Sequence, residues 1–382
     1  MPSSSCLPGN GPVARRLVPG QDREGFCAVS LLPSAAFGRK GFELTEFGRA
    51  ARIILGGDCL DKGPSNLAML DALADLRATG AALTILAGNH DLRLRLAVTA
   101  LAGPRTPMTE HIFLRMGRKI LPALREVFDR FVTPEDLAAL PDDAACLARL
   151  SPGPDWPATF AAAARGRLPE KAIAKEIRKL EEKRGQFAKA LDRTGLSGRE
   201  LLAAVLKCRD VFFAPRGAYA WFYEEMDVVA RMGSLLFVHA GLCDRMCRLL
   251  AEGGTGAVNA AYRAGAEAPT LDFYFGPLAN LVRTKYRASD WALGEEGVGL
   301  LHRRGIHMVV QGHVNNHAGQ RLLAKQGLLH LEADVTLDRA SRSLEGLDGI
   351  GAGATLIFPS GDVIGLSRDY PRAKHFAPGR AA

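Results

Sequence analysis

The chain reads as an α/β protein. Three observations predict this class. Short β-branched apolar runs at residues 52–55 and 82–87 flank a stretch of helical periodicity at 65–79. Polar, glycine-containing motifs follow those runs directly, at Gly57 to Gly63 and Gly88 to Asp91. The same run-then-motif pattern returns near 234–238 and 306–310, after a long stretch of helical texture.

Taken in order, residues 1–17 are rich in Ser, Pro and Gly and read as a disordered lead-in. Residues 52–55 (Arg-Ile-Ile-Leu) form a buried strand stopped by Gly56-Gly57. Residues 65–79 form a helix, with Leu67, Leu70, Ala74 and Arg77 on one line and Met69, Leu73 and Leu76 beside it; Ser65 caps its start and Gly80 its end. Residues 82–87 form a second strand ending at Gly88. Strand, motif, helix, strand, motif is a βαβ unit with polar loops at the strand carboxyl ends, where open α/β sheets place ligands.

Between Asp91 and Arg231 strand-like runs nearly vanish. Thr133-Pro134-Glu135-Asp136 is a helix start, with Thr as N-cap, Pro in the first turn and acids following. Residues 168–194 form a long charged helix whose apolar stripe is Ile173, Ile177, Leu180, Phe187 and Leu191. Its other face reads as solvated, with Glu–Lys pairs at helical distance. Strand character resumes at 234–238, 306–310, 328–331 and 354–358, and 363–366 pairs back after a turn at Gly361. The organisation predicted is one α/β domain over 18–95 and 230–368, a helical insertion or cap over 96–229, and a flexible basic tail over 369–382.

The 382 residues carry 47% hydrophobic side chains and a net charge of +8. That mild excess suits an anionic substrate such as a phosphoester. It is too diffuse to argue for nucleic acid, and no Lys/Arg block interleaved with aromatics appears. Seven cysteines in irregular spacing support neither a disulfide framework nor a structural zinc site, and predict reduced thiols in the cytoplasm. The first twelve residues lack the apolar core of a signal peptide, and no apolar run approaches the ~20 residues of a membrane span.

Four motifs carry the chemistry: Gly-Asp-Cys-Leu-Asp-Lys-Gly (57–63), Gly-Asn-His-Asp (88–91), Val-His-Ala-Gly-Leu (238–242) and Gln-Gly-His-Val (311–314). Singly, Asp58 is a turn residue, Asn89 an Asx-turn and Lys62 a solvated charge. As an ordered set at strand ends they supply carboxylate and amide oxygens for hard divalent ions, and imidazoles for manganese, iron or zinc. Asp58 suits a carboxylate shared by two ions about 3.5–4 Å apart. Asn89, His239 and His313 offer further donors. His90 points away from Asn89 and suits a general acid, with Asp61 accepting its other N–H and Lys62 placing positive charge beside a substrate phosphate.

These blocks, GGDCLDKGPSN, AGNHD, LFVHAGL and VVQGHV, resemble those of the calcineurin-like metallophosphoesterases, within them the phosphoprotein-phosphatase-type branch, over residues 15–90 and 230–368. The resemblance implies a four-layer αββα sandwich with a helical insertion. It implies two divalent metal ions (Mn, Fe or Zn), with Asp58 bridging and Asn89, His239 and His313 as terminal ligands. It implies His90 as proton donor with Asp61 as its partner, and hydrolysis of phosphate monoesters. Two departures stand out. Lys62 occupies the family's arginine position, keeping the charge but losing the bidentate fork. The first block, DxHG, has only Gln21-Asp22-Arg23-Glu24-Gly25 as a counterpart, which makes Asp22 and Glu24 candidate metal ligands. Arg283 resembles a downstream phosphate-side arginine, and His317 reads as a loop residue.

The resulting expectation is a phosphoesterase acting on a phosphorylated protein or small molecule, of serine/threonine protein phosphatase type, with no membrane or nucleic-acid partner. The alternatives are a dinucleoside polyphosphate hydrolase, suggested by Ala240 in the third block, and a non-catalytic scaffold binding phosphorylated partners.

Overall fold

The computed structural model describes residues 26–29, 42–267, 271–314, 316, 318–335, 339–344, 346, 348–349, 351 and 353–377. Among them the strands are β1 (Phe26–Val29), β2 (Arg52–Leu55), β3 (Ala82–Leu86), β4 (Met226–Asp227), β5 (Val229–Met232), β6 (Leu235–Val238), β7 (Met308–Gln311), β8 (Arg321–Lys325), β9 (Leu328–Glu332), β10 (Gly353–Ile357), β11 (Val363–Ser367) and β12 (Lys374–Phe376). They form two sheets, ordered β12-β11-β10-β1-β2-β3-β4 and β5-β6-β7-β9-β8. The run β1-β2-β3-β4 is parallel, as is β6-β7-β9, and the remaining pairs are antiparallel. Parallel strands bring carboxyl ends to one edge, which collects their following loops.

Alternation along the strands sorts side chains into two cores. Ile54, Leu86, Ile357 and Val363 of the first sheet meet Phe237, Val310 and Leu331 of the second in one buried cluster. The two sheets therefore pack face to face. Their neighbours point outward: Leu55 and Ile85 from the first sheet, Leu236, Val238, Val309 and Leu328 from the second, join the larger core built with the helices. The helix Asn66–Ala78 is capped by Ser65, whose hydroxyl accepts the Ala68 N–H, and ends at Thr79, one residue before Gly80. It buries Leu67, Leu70 and Leu73 in that core.

Several sequence expectations need revision. β1, β4, β5 and β8 are strands that the sequence reading lacks. The stretch 96–229 is helical up to β4, and its helices pack into the same core as the sheets. The helix Asn89–Ala102 starts in the second motif and runs across residue 96. Phe113, Leu124, Leu180, Leu201 and Val205 of the helical stretch share one core with Leu67 and Leu70. The tail is not wholly free either. Lys374–Phe376 pairs with β11, and Asp369 forms an ion pair with the buried Arg342. Among the described residues no helix is long and apolar enough to cross a membrane.

The charged helix Glu170–Thr194 buries Ile173, Leu180, Phe187 and Leu191 on its stripe, with Ile177 half-buried. Its polar side is not wholly solvated. Glu176 is buried and accepts from Arg115 Nε at 2.5 Å, with His111 Nε2 at 3.7 Å. Burial alone would raise the Glu176 carboxyl, but His111 and Arg115 outweigh it and hold it down to about 2. A depressed carboxylate contributes stability above its unfolded value of 4.5 and loses it as pH falls toward the folded value. Glu176→Gln is therefore expected to cost on the order of 3 kcal/mol at pH 7 by denaturant titration. The gap from wild type should narrow as pH drops from 5 to 3; a gap independent of pH would contradict the pairing.

Candidate functional site

The four motifs lie at the carboxyl ends of β2, β3, β6 and β7, where the two sheets meet. β2 ends at Leu55 and the chain turns through Gly56 and Gly57 to Asp58. β3 ends at Leu86, and Asn89 opens the next helix. His239 follows β6 directly, and His313 stands two residues past β7. The two sheets are stitched at this edge by a His239 Nδ1 bond to Gly56 O at 2.6 Å, and a Gly312 N–H bond to His239 O at 2.9 Å ties the ends of β6 and β7 within the second sheet.

The donors gather. Asp58, His239 and His313 each place one ligand atom within 4.8 Å of the others. His239 Nε2 lies 3.4 Å from Asp58 Oδ1 and 3.3 Å from Asn89 Oδ1. Two features prepare these nitrogens for a cation. Gly56 O, an acceptor only, holds a proton of His239 on Nδ1 and turns Nε2 toward Asp58 and Asn89. His313 Nε2 is buried with no hydrogen-bond partner. Burial, then His239, pushes the His313 imidazole down to about 3, so the ring is neutral and keeps both lone-pair options. Burial alone would raise the Asp58 carboxyl; His239, His90, Lys62 and His313 outweigh it and hold it well below the ordinary range. An ionised carboxylate, an amide oxygen and two imidazoles form a donor set that fits a divalent transition metal.

Tight backbone packing makes this possible. Asp58, Asp61 and His313 all sit at positive φ (59°, 61° and 64°), a strained setting for residues with a Cβ. A Cβ on Gly88 would fall 2.1 Å from Asp58 N, and one on Gly57 2.7 Å from His239 Nδ1. Both glycines are required for the loops to approach this closely. Asp91 holds the loops together, accepting N–H bonds from Asp58 (2.8 Å), Leu60 (3.0 Å) and Gly88 (2.9 Å). The Gln311 amide, oriented to donate to Ala240 O (3.2 Å) and His330 Nδ1 (2.8 Å), ties the loop carrying His239 to that carrying His313.

Beside the donors, His90 Nδ1 lies 2.6 Å from Asp61 Oδ2 and His90 Nε2 lies 3.9 Å from Asp58 Oδ2. The ring thus presents one nitrogen to Asp61 and the other toward the donor set. Burial pushes His90 well below its usual value and Asp61 up to about 7. A single proton on the Nδ1···Oδ2 line satisfies this desolvated pair. The second proton of an imidazolium becomes favourable once an anion is bound alongside.

Arg93 Nη1 lies 3.0 and 2.9 Å from the two ring nitrogens of His90 and 3.8 Å from Asp61. Lys62 is close enough to lower Asp58, and Lys119 and Arg93 act on Asp61. Arg283 Nε donates to Ala279 O at 3.2 Å and its guanidinium lies 4.5 Å from the Tyr274 ring. Asp22, Glu24 and His317 lie outside the described residues.

The sequence reading missed Asp91, Arg93 and Lys119. Asp91 had a local signal, since an acid three residues after a helix N-cap marks a capping box. Its bonds to the loop at 58–60 had none. Arg93 sits one turn after His90 on the same helix, a spacing that brings side chains together.

No family model matches the chain, and no curated protein matches it. Among solved structures, a cold-active protein tyrosine phosphatase is similar with a TM-score of 0.45 at 13% identity, covering 93% of this chain and 79% of that one. The cold-active protein-tyrosine phosphatase of a psychrophile, Shewanella sp., is similar with a TM-score of 0.43 at 13% identity, covering 93% and 80%. A likeness at these values carries no weight for the fold or activity of this chain.

Proposed function

We propose that this chain is a metal-dependent phosphoesterase of the calcineurin-like kind, with the two face-to-face sheets and their outer helices as a metallophosphoesterase-type four-layer sandwich. The observation that carries the reading is the tautomer lock on His239. Its Nδ1 is committed to Gly56 O while Nε2 faces Asp58 and Asn89, an arrangement suited to holding a cation.

Asp58, Asn89, His239 and His313 would hold the metal, and Asp58 is the carboxylate suited to bridging a second ion. Manganese, iron or zinc bound there supplies an activated water and neutralises charge on phosphoryl oxygens. His90 gives a proton from Nε2 to the leaving oxygen, while Asp61 holds Nδ1 and keeps the ring aimed. Lys62 and Arg93 maintain positive potential where the ester's anionic oxygens sit. Arg93 puts a guanidinium in contact with this cluster. The substrate is a phosphate monoester, on a protein or a small molecule.

Purified protein with Mn²⁺ is expected to hydrolyse p-nitrophenyl phosphate, and EDTA to abolish the turnover reversibly. Absence of turnover with Mn²⁺, Fe²⁺ and Zn²⁺ alike would refute the hydrolase. Undiminished turnover in EDTA would refute the metal.

A further inference from the structure

Helix Leu121–Phe131 belongs to the helical stretch and lies far in sequence from every motif, yet it reaches the first motif through one side chain. Glu126 accepts hydrogen bonds from Ser65 Oγ (2.8 Å), Asn66 N (2.8 Å), Asn66 Nδ2 (2.7 Å) and Leu67 N (2.8 Å). Two of these are backbone donors of a helix's first turn, which lack partners within the helix, and a carboxylate suits that end of the dipole. A cap alone would end there. Here the bond to Asn66 Nδ2 orients the buried Asn66 amide so that Oδ1 accepts the Asp61 N–H at 2.7 Å. Asp61 in turn meets His90 Nδ1 at 2.6 Å.

We infer that Glu126 is a positioning residue for the Asp61–His90 pair, acting through Asn66. The inference rests on the reading of His90 as proton donor. Asp61 stands at φ 61°, a left-handed conformation that persists only when its surroundings hold it. The Asn66 amide has donors at one end and acceptors at the other, and turning it over would aim its NH₂ at the Asp61 N–H. The acceptor that decides its orientation is Glu126 Oε1. The helical stretch therefore sets the aim of a proton-donating imidazole from 36 residues beyond it (126 − 90).

Leaving-group dependence separates this role from a purely structural one, because a misaimed general acid slows esters of basic alcohols most. Wild type, Glu126→Ala, Asn66→Ala and Ser65→Ala are compared on phenyl phosphate and 2,4-dinitrophenyl phosphate. Glu126→Ala and Asn66→Ala are each expected to lower kcat on phenyl phosphate about 10-fold more than on the dinitrophenyl ester, with KM little changed. Ser65→Ala removes the bond to Glu126 Oε2 but leaves the Oε1 bond to Asn66 Nδ2 and the two backbone donors that hold the carboxylate, and is expected to lower both equally or neither. Should Glu126→Ala fail to fold, Asn66→Ala decides, since it leaves the carboxylate on the helix backbone. Equal losses on the two esters in Asn66→Ala, or a selective loss in Ser65→Ala, would overturn the assignment. An inactive wild type would instead sink the hydrolase reading itself.

Discussion

Replacing Asp58 with Asn is expected to lower turnover on p-nitrophenyl phosphate by about 10³-fold, with the fold intact. Asp58 is the one carboxylate among the gathered donors that lie in the described residues. Its charge balances any cation placed there, and Asn removes that charge while keeping size and shape. The Oδ1 of Asp58 also accepts the His90 N–H at 2.9 Å, a bond that an amide oxygen can keep. The local loop should therefore survive, and the melting temperature should stay within a few degrees of wild type. The check is kcat together with Mn²⁺ affinity by calorimetry. Wild-type turnover in the variant would remove Asp58 from the chemistry.

The second large effect is expected at His90. His90→Gln should cut kcat by about 10²-fold and should do so most for esters with basic leaving groups. Gln keeps the backbone N–H that bonds Asp58, and the donor set itself is untouched. Metal affinity should therefore hold while turnover falls. That split distinguishes His90 from Asp58. A His90→Gln protein that lost metal in step with activity would place His90 among the ligands instead.

How far the sequence reaches can be judged residue by residue. The strand-then-glycine pattern before Asp58 and Asn89, and the strand ends at His239 and His313, are local signals, and the structure sets all four at adjoining loops. The helix cap at Ser65 and the start at Thr133 are equally local, and both form. β4 has two residues and β12 three, too short for any periodicity to register. β8 is an edge strand with largely exposed side chains, and its apolar run of three residues, Leu322 to Ala324, is too short to stand out.

The charged contacts fail for a different reason. Glu176 sits in a helix crowded with acids and bases, and only Arg115, 61 residues away, distinguishes it as buried. Glu126 and Asp91 likewise acquire their meaning from backbone N–H groups that tertiary folding delivers. The Arg283 guanidinium packs on Tyr274, a ring that Arg115 also approaches at 5.6 Å, and neither contact has a local signal in the sequence.

Crystals grown with Mn²⁺ and measured at the manganese absorption edge would address the centre of the proposal. An anomalous peak bounded by Asp58, Asn89, His239 and His313 is the expected result, weakened or lost in Asp58→Asn. Manganese bound elsewhere, with His239 Nε2 and His313 Nε2 left facing no ion, would contradict it.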